Sequence, residues 1–225
     1  MTTNSTDGRA DTTRRQILRA AAHQFARRAY HDVGLDDILA EAELTKGAMY
    51  FHFRSKHALA VAIIERQTTE GTATLKDVLA RRLSGLETLI DASYLIAVHD
   101  IKTYAVRAAL NLLESVGRSE GLQQRLFDDW ANAMAAAAER AIAEGDVDQR
   151  CDPADLGRLV VSLHLGLRQT SNLDEPERFL GDLEKSWAIV LNGVLQPDRI
   201  DYFRQFVRRR TALAINTSSN GSDSD

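Results

Sequence analysis

G-L-D-D-I-L-A-E-A-E-L-T-K-G-A-M-Y-F-H-F, residues Gly34 to Phe53, is the stretch that decides the fold. Leu35, Ile38, Leu39 and Ala42 share one face of a helix starting near Leu35, since apolar residues three and four apart line up on one side. A tight turn follows. Thr45 then caps a second short helix that opens with Lys46 and closes with aromatics and a histidine. A short, capped helix with polar tips is shaped to enter the major groove of DNA.

Each residue of that second helix has a DNA-facing reading and a plainer one. Thr45 can donate to a phosphate or serve only as a cap. Lys46 sits in the first turn, where a cation opposes the helix dipole, so stability alone would not select it there. Gly47 costs roughly 1 kcal/mol of helix propensity relative to alanine. It either lets DNA approach the backbone or relieves crowded packing. Tyr50 and His52 offer hydrogen bonds to phosphates, while Met49, Phe51 and Phe53 read as core. Lys56 would clamp the DNA backbone just outside the groove.

Outward from this pair, Thr13-Arg14-Arg15-Gln16 has the form of a capping box. The helix behind it carries Ile17, Ala21 and Phe25 and ends near Ala29-Tyr30. Ser55 caps a further helix presenting Leu59, Ile63 and Gln67. Beyond Leu86 the periodicity stays helical, with helices expected over 86–98, 102–116, 121–144, 154–172, 176–195 and 199–214. One stripe of the longest holds Leu122, Leu126, Trp130, Met134 and Ala138. No strand-period segment of useful length occurs. The class is all-α: an N-terminal three-helix helix-turn-helix domain followed by a helical ligand-binding and dimerisation domain.

Composition agrees. The 225 residues are 44% apolar and 6% aromatic, with three prolines and one cysteine, Cys151. Such a chain favours helix and can form no internal disulfide. The net charge of −4 is an average over unlike parts. Of the 28 basic and 32 acidic residues, ten and eight fall in residues 1–66, a net of +2; the rest carries −6. Basic charge thus gathers where phosphates would be met. No signal-peptide h-region and no apolar run of the roughly 18 residues that span a bilayer is present, so a cytoplasmic protein with no membrane partner is expected. Gly117-Arg118-Ser119-Glu120-Gly121 fits G-x-S-x-G, but that nucleophile needs a strand-to-helix turn, and here it joins helices. There is no phosphate loop, metal-ligand spacing or paired cysteine. An enzyme is not expected, nor a metal or cofactor.

The string T-K-G-A-M-Y-F-H-F-R-S-K-H-A-L, Thr45 to Leu59, is similar to the T/S-K-G-x-L/M-Y-x-H-F-x-S-K-E-x-L signature of TetR-family repressors. Residues 13–66 resemble that family's DNA-binding domain. The resemblance implies a homodimer on a double-stranded, pseudo-palindromic operator, contacted through Thr45, Lys46, Gly47, Ala48, Tyr50, His52 and Lys56. It also implies dimerisation through the helices at 154–172 and 176–195. The domain division expected is a disordered arm at 1–11 and a helix-turn-helix domain at 12–56, whose last helix continues to about residue 80 as a connector. A ligand-binding and dimerisation domain at 57–215 and a disordered tail at 216–225 complete it. The chain also departs from the family's pattern before that string. Ala29 and Glu43 stand where glycine is usual, and Val33-Gly34 replaces a Thr and Thr/Ser pair. A left-handed turn at Glu43 would cost about 1–2 kcal/mol, which predicts a slightly rebuilt turn. Gly34 is a weaker cap, and Val33 removes a phosphate contact.

In the body, Phe127-Asp128-Asp129-Trp130 resembles the F-x-x-W segment of receptors for γ-butyrolactone-type autoregulators, as do Ile63–Gln67, His164–Ser171 and Trp187–Leu195. The resemblance implies that Trp130 lines a signal pocket; the plainer reading is a core tryptophan. Gln67, His164, Ser93 and Asn111 are further candidates for polar contact with the signal, His164 toward a carbonyl. Tyr94 belongs with them, and Trp187 reads as core or dimer interface. The function expected is a repressor released by a small hydrophobic signal of the γ-butyrolactone, butenolide or furan type, controlling secondary metabolism. The rival within the family senses an antibiotic, a biosynthetic intermediate or another hydrophobic compound, for example to control efflux.

Overall fold

The computed structural model describes residues 4–219, which form ten α-helices and no β-strand. They are α1 (Asn4–Arg27), α2 (Leu35–Ala42), α3 (Lys46–His52), α4 (Lys56–Leu79), α5 (Gly85–Lys102), α6 (Tyr104–Leu112), α7 (Leu122–Ala143), α8 (Pro153–Thr170), α9 (Pro176–Val194) and α10 (Ile200–Ser219). A π-turn, Leu113–Gly117, extends α6, and 3₁₀ turns occupy Tyr30–Asp32 and Pro197–Arg199. The chain divides into two compact units. The first is Met1–Gly71 with Thr103–Gln124; the second is Thr72–Lys102 with Arg125–Asp225.

In the first unit α1 packs along α2, α3 and α6. Ile17, Ala21, Phe25, Ile38, Met49, Leu59 and Ile64 are buried there. Leu35 is only half-buried; Val33, just before Gly34, takes the core place instead. Asn111 on α6 donates through Nδ2 to the carbonyls of Phe25 and Ala26, 3.1 and 3.3 Å away. These lie in the last turn of α1, where carbonyls have no partner within the helix, so α6 supplies α1 with its C-terminal cap. The rings of Tyr104 and His23 meet edge-on at 4.9 Å. Glu120, just past the π-turn, pairs with His57 on α4 at 3.0 Å. Residues 103–124 therefore belong with the helix-turn-helix, and the division at residue 56 drawn from sequence does not follow the contacts.

Both expected disordered ends begin or end in helix. α1 starts at Asn4, so residues 4–11 of the arm are helical, and residues 1–3 lie outside those described. The capping box at Thr13 does not form because residues 13–16 are already inside the helix. Thr12 Oγ1 donates back to Gly8 O at 2.8 Å instead. At the other end α10 includes residues 216–219 of the expected tail, and 220–225 lie outside the described residues. Ala214 and Ser218 continue its buried stripe, and the Thr217 and Ser219 hydroxyls donate to their own helix.

The second unit is organised around α5, which buries residues on all sides, Leu86, Leu89, Ile90, Tyr94 and Ala97 among them. Such a helix must be enclosed, and α8, α9 and α10 pack on it. The alanines of α7 serve closeness rather than bulk. A Cβ on Gly85 would lie 2.2 Å from Ala141 N, and one on Gly157 2.6 Å from Ala131 O, so α5 and α8 both approach the α7 backbone. Two aspartates on α5 are buried, and arginines balance both. Asp91 meets Arg81 at 2.8 Å and also Arg210; Asp100 meets Arg168 at 2.9 Å. Burial holds the Arg210 guanidinium below its ordinary range, with Arg81 adding to the effect.

Candidate nucleic-acid interface and ligand site

The helix-turn-helix is built from backbone accommodations that the sequence left open. Gly34 has no side chain to cap α2, and Asp37 supplies the missing group: its Oδ2 accepts the Gly34 N–H at 2.9 Å. That bond, with Arg28 at 2.9 Å, holds the Asp37 carboxyl below its ordinary range. Arg28 also donates to the Asp32 carbonyl, tying α1 to the 3₁₀ turn and to α2. Ala29 lies in ordinary extended backbone (φ −60°, ψ 148°), so no glycine is needed there. Glu43 adopts φ 53°, ψ 40°, the one left-handed non-glycine among the described residues. The turn is not rebuilt around it. Glu43 and Leu44 donate N–H groups to Ala40 and Leu39 carbonyls at the end of α2, and these bonds hold a conformation that costs about 1–2 kcal/mol.

α3 stands behind Thr45, whose Oγ1 accepts the Ala48 N–H at 3.3 Å. Thr45, Lys46, Gly47 and Tyr50 are exposed, and Ala48 and His52 are half-buried. Lys46 Nζ lies 2.8 Å from Asp36 Oδ1 at the start of α2. That hydrogen bond raises the affinity of the amine for its proton, so the lysine is fully charged. Gly47 would accept a Cβ with nothing nearer than 3.8 Å. Internal packing therefore does not require glycine there. Met49 and Phe53 are core, but Phe51 is 80% exposed, beside Tyr50 at 52%. Phe51 is therefore not core, contrary to the expectation from sequence. On a helix, residues 49 and 53 share a face, and 51 lies opposite.

Lys56 is engaged within the fold. Its Nζ donates to the Tyr30 and Val33 carbonyls at 2.8 and 2.9 Å and sits 4.3 Å from the Tyr30 ring centroid. It bolts the 3₁₀ turn to the start of α4, as the carbonyl ends of a turn invite a cation to do. No sequence signal marked this, because the acceptors are backbone atoms more than 20 residues away.

The polar candidates of the body are mostly engaged. Ser93 donates to Leu89 O of its own helix at 2.9 Å. Gln67 donates to Glu70 at 2.9 Å and falls in the first unit. Asn111 is the cap of α1 and is also in the first unit. Tyr94 and Thr211 hydrogen-bond in the core at 2.6 Å, and burial pushes the Tyr94 phenol well above its ordinary range. Ser119 of the G-x-S-x-G string donates to Val116 O at 2.8 Å. Trp130 is half-buried beside Phe127, ring centroids 5.7 Å apart. His164 is buried, its Nε2 2.9 Å from Asp100 Oδ2. Trp187 is wholly buried, yet its indole N–H meets no acceptor among the described residues.

A short exposed helix with a capped start, a charged lysine and a glycine that its own fold does not need defines a helix-turn-helix DNA reader, here joined to an enclosed all-α unit. The family model for bacterial regulatory proteins of the tetR family matches residues 17–63. The A-factor receptor protein of Streptomyces griseus is 30% identical over 198 residues, covering 87% of this chain and 68% of that protein. Among solved structures, CprB, a TetR family protein from S. coelicolor A3(2), has a TM-score of 0.79 at 30% identity, covering 91% of this chain and 98% of that one. A gamma-butyrolactone receptor described as ArpA-like has a TM-score of 0.76 at 28% identity, with coverage of 91% and 98%. CprB in complex with its biological operator sequence gives 0.75 at 29%, with coverage of 94% and 99%. The chain belongs to the TetR family of transcriptional regulators and is similar to its γ-butyrolactone receptors. Among the described residues no helix is long and apolar enough to cross a membrane.

Proposed function

We propose that the protein is a cytoplasmic, homodimeric repressor that holds a pseudo-palindromic operator through α3 and lets go when a small hydrophobic signal enters the second unit. The observation that carries the DNA half is Gly47: a helix position weakened by about 1 kcal/mol with open space around it. Thr45, Lys46, Ala48, Tyr50 and His52 flank it as contacts to phosphate and base edges, and exposed Phe51 adds an apolar surface that suits a thymine methyl. Lys56 positions the turn with two of its three N–H donors. For the dimer, α8 and α9 leave Leu159 45% and Ile189 75% exposed, apolar area that a second copy would remove from water. Two recognition helices would then lie roughly 34–36 Å apart.

For the signal, likeness to γ-butyrolactone receptors supports a lactone, butenolide or furan, and the control of secondary metabolism. Trp130 offers a ring to such a molecule, Trp187 an unused N–H for a carbonyl, and His164 a nitrogen. Ser93, Asn111 and Gln67 contribute less, because their polar groups already have partners. The test is a gel shift on the protein's own promoter DNA with synthetic γ-butyrolactones added. Release at micromolar lactone supports the reading. Firm DNA binding that no lactone disturbs sinks the signal half, and Trp130→Ala that stays folded yet ignores the lactone places Trp130 at the ligand.

A further inference from the structure

Most basic side chains of the first unit are occupied within the fold. Arg28 pairs with Asp37, Lys46 with Asp36 and Arg66 with Glu70. Lys56 serves two carbonyls, and the Arg27 guanidinium lies 5.5 Å from the Tyr104 ring centroid. Two exposed arginines, Arg14 and Arg54, differ from these. The Arg14 guanidinium lies 5.2 Å from the Phe53 ring centroid and has no carboxylate partner among the described residues. Arg54 has neither a hydrogen bond nor an ion pair among the described residues.

Phe53 places the two arginines at one point of the fold. It directly follows α3, is buried, and donates its N–H to Met49 O at 2.8 Å. Arg14 reaches its ring from α1, and Arg54 is the next residue in the chain. Beyond Arg54, Ser55 Oγ accepts the Ala58 N–H at 3.0 Å and starts α4. The backbone on both sides of Arg54 is therefore fixed. A guanidinium carries its N–H donors in its own plane, so stacking on an aromatic face leaves them open to an anion. A side chain already held in place also loses less freedom when a ligand binds. Beside a helix that enters a DNA groove, the anion at hand is the backbone phosphate.

We infer that Arg14 and Arg54 form a phosphate clamp at the C-terminal end of α3, gripping the DNA backbone beside the groove that α3 enters. α1 thereby takes part in DNA binding. The register of α3 on the duplex is set from its far end as well as from Thr45 and Lys46. Such contacts position a protein and carry no sequence information. The inference rests on the reading of α3 as the helix that meets DNA.

The test measures binding of the full-length protein to its promoter DNA and to random duplex of equal length over roughly 50–200 mM salt. Arg14→Gln with Arg54→Gln removes both charges from each subunit of a dimer. The slope of log affinity against log salt should become shallower by about 3–4. Binding at about 100 mM salt should weaken at least about tenfold, by the same factor on both DNAs. Arg14→Lys with Arg54→Lys keeps the charges and should keep the slope. Arg208→Gln with Arg209→Gln on α10 is the charge-matched control. These exposed arginines of the second unit repeat the arrangement, Arg209 lying 5.8 Å from the Phe206 ring centroid and Arg208 having no ion pair among the described residues. That pair should leave the slope alone.

An unchanged slope in the Arg14 and Arg54 glutamine pair overturns the inference. An equal change from the α10 pair does so too, since it means a diffuse field rather than contact. A loss confined to promoter DNA also overturns it, since it means base contacts. Arg54→Gln alone, which has no bond in the fold to lose, should give about half the change in slope even where Arg14→Gln disturbs α1. Normal binding by Lys46→Ala with Tyr50→Ala removes α3 from the DNA and the clamp with it. Normal binding by the glutamine pair alone sinks the clamp and leaves the reading of α3 standing.

Discussion

The reader and the body use polar side chains in opposite ways. On α3, Lys46 and Tyr50 are exposed at the surface, open to an outside partner. Around α5, Asp91 and Asp100 are buried, Asp91 paired with Arg81 and Arg210 and Asp100 with Arg168, all from outside α5. A polar group at the surface costs the fold little and can be spent on recognition. A buried one is tied into the fold first, as the aspartates of α5 are by their arginines.

The contrast is sharpest at Asp100. Asp100→Ala leaves Arg168 buried without its carboxylate and should destabilise the protein by about 3–5 kcal/mol, read from chemical unfolding. A loss under 1 kcal/mol would mean the buried ions are better hydrated than their exposure indicates. The reader should behave the other way round. Lys46→Ala with Tyr50→Ala is expected to cost about 100-fold or more in operator affinity while leaving the unfolding midpoint in place. Full DNA binding by that double variant would remove α3 from the interface.

Smaller effects probe the joints of the reader. Glu43→Gly relieves a left-handed residue and should stabilise by about 1 kcal/mol, the strain of about 1–2 kcal/mol less the added freedom of the unfolded chain. A destabilised variant would show that the Glu43 side chain contributes more than its backbone costs. The smallest change concerns Asp36, which holds Lys46 at 2.8 Å in an exposed pair. Exposed pairs are worth about 0.2–1 kcal/mol, so Asp36→Asn should tighten DNA binding by no more than about fivefold. The gain should appear on operator and random DNA alike. Weaker binding in that variant would instead make Asp36 a contact in its own right.

What could be read from the chain follows the same division. The helices were legible because apolar spacing and the prolines at the starts of α8 and α9 are local signals. The reader was legible as a motif because Thr45 to Lys56 are consecutive. Roles that depend on distant atoms were not. Lys56 serves carbonyls at residues 30 and 33, Asn111 serves carbonyls at 25 and 26, and Asp37 replaces the cap that Gly34 lacks. Phe51 reads as core by its apolar character, but helical geometry sets it opposite Met49 and Phe53. Ser93 and His164 read as candidates for polar contact with a signal, but which of their atoms are engaged within the fold depends on Leu89 O and Asp100.

Asn111 has a consequence for anyone who would exchange readers between regulators. A graft cut after residue 56, or after the end of α4, transplants α1 without the side chain that closes its last turn. It also omits Tyr104, packed on His23, and Glu120, paired with His57. The transferable piece is discontinuous in the gene: residues up to Gly71 together with Thr103–Gln124. A chimera that carries both segments should keep the donor's operator preference, and one that carries the first alone should bind poorly despite an intact recognition helix.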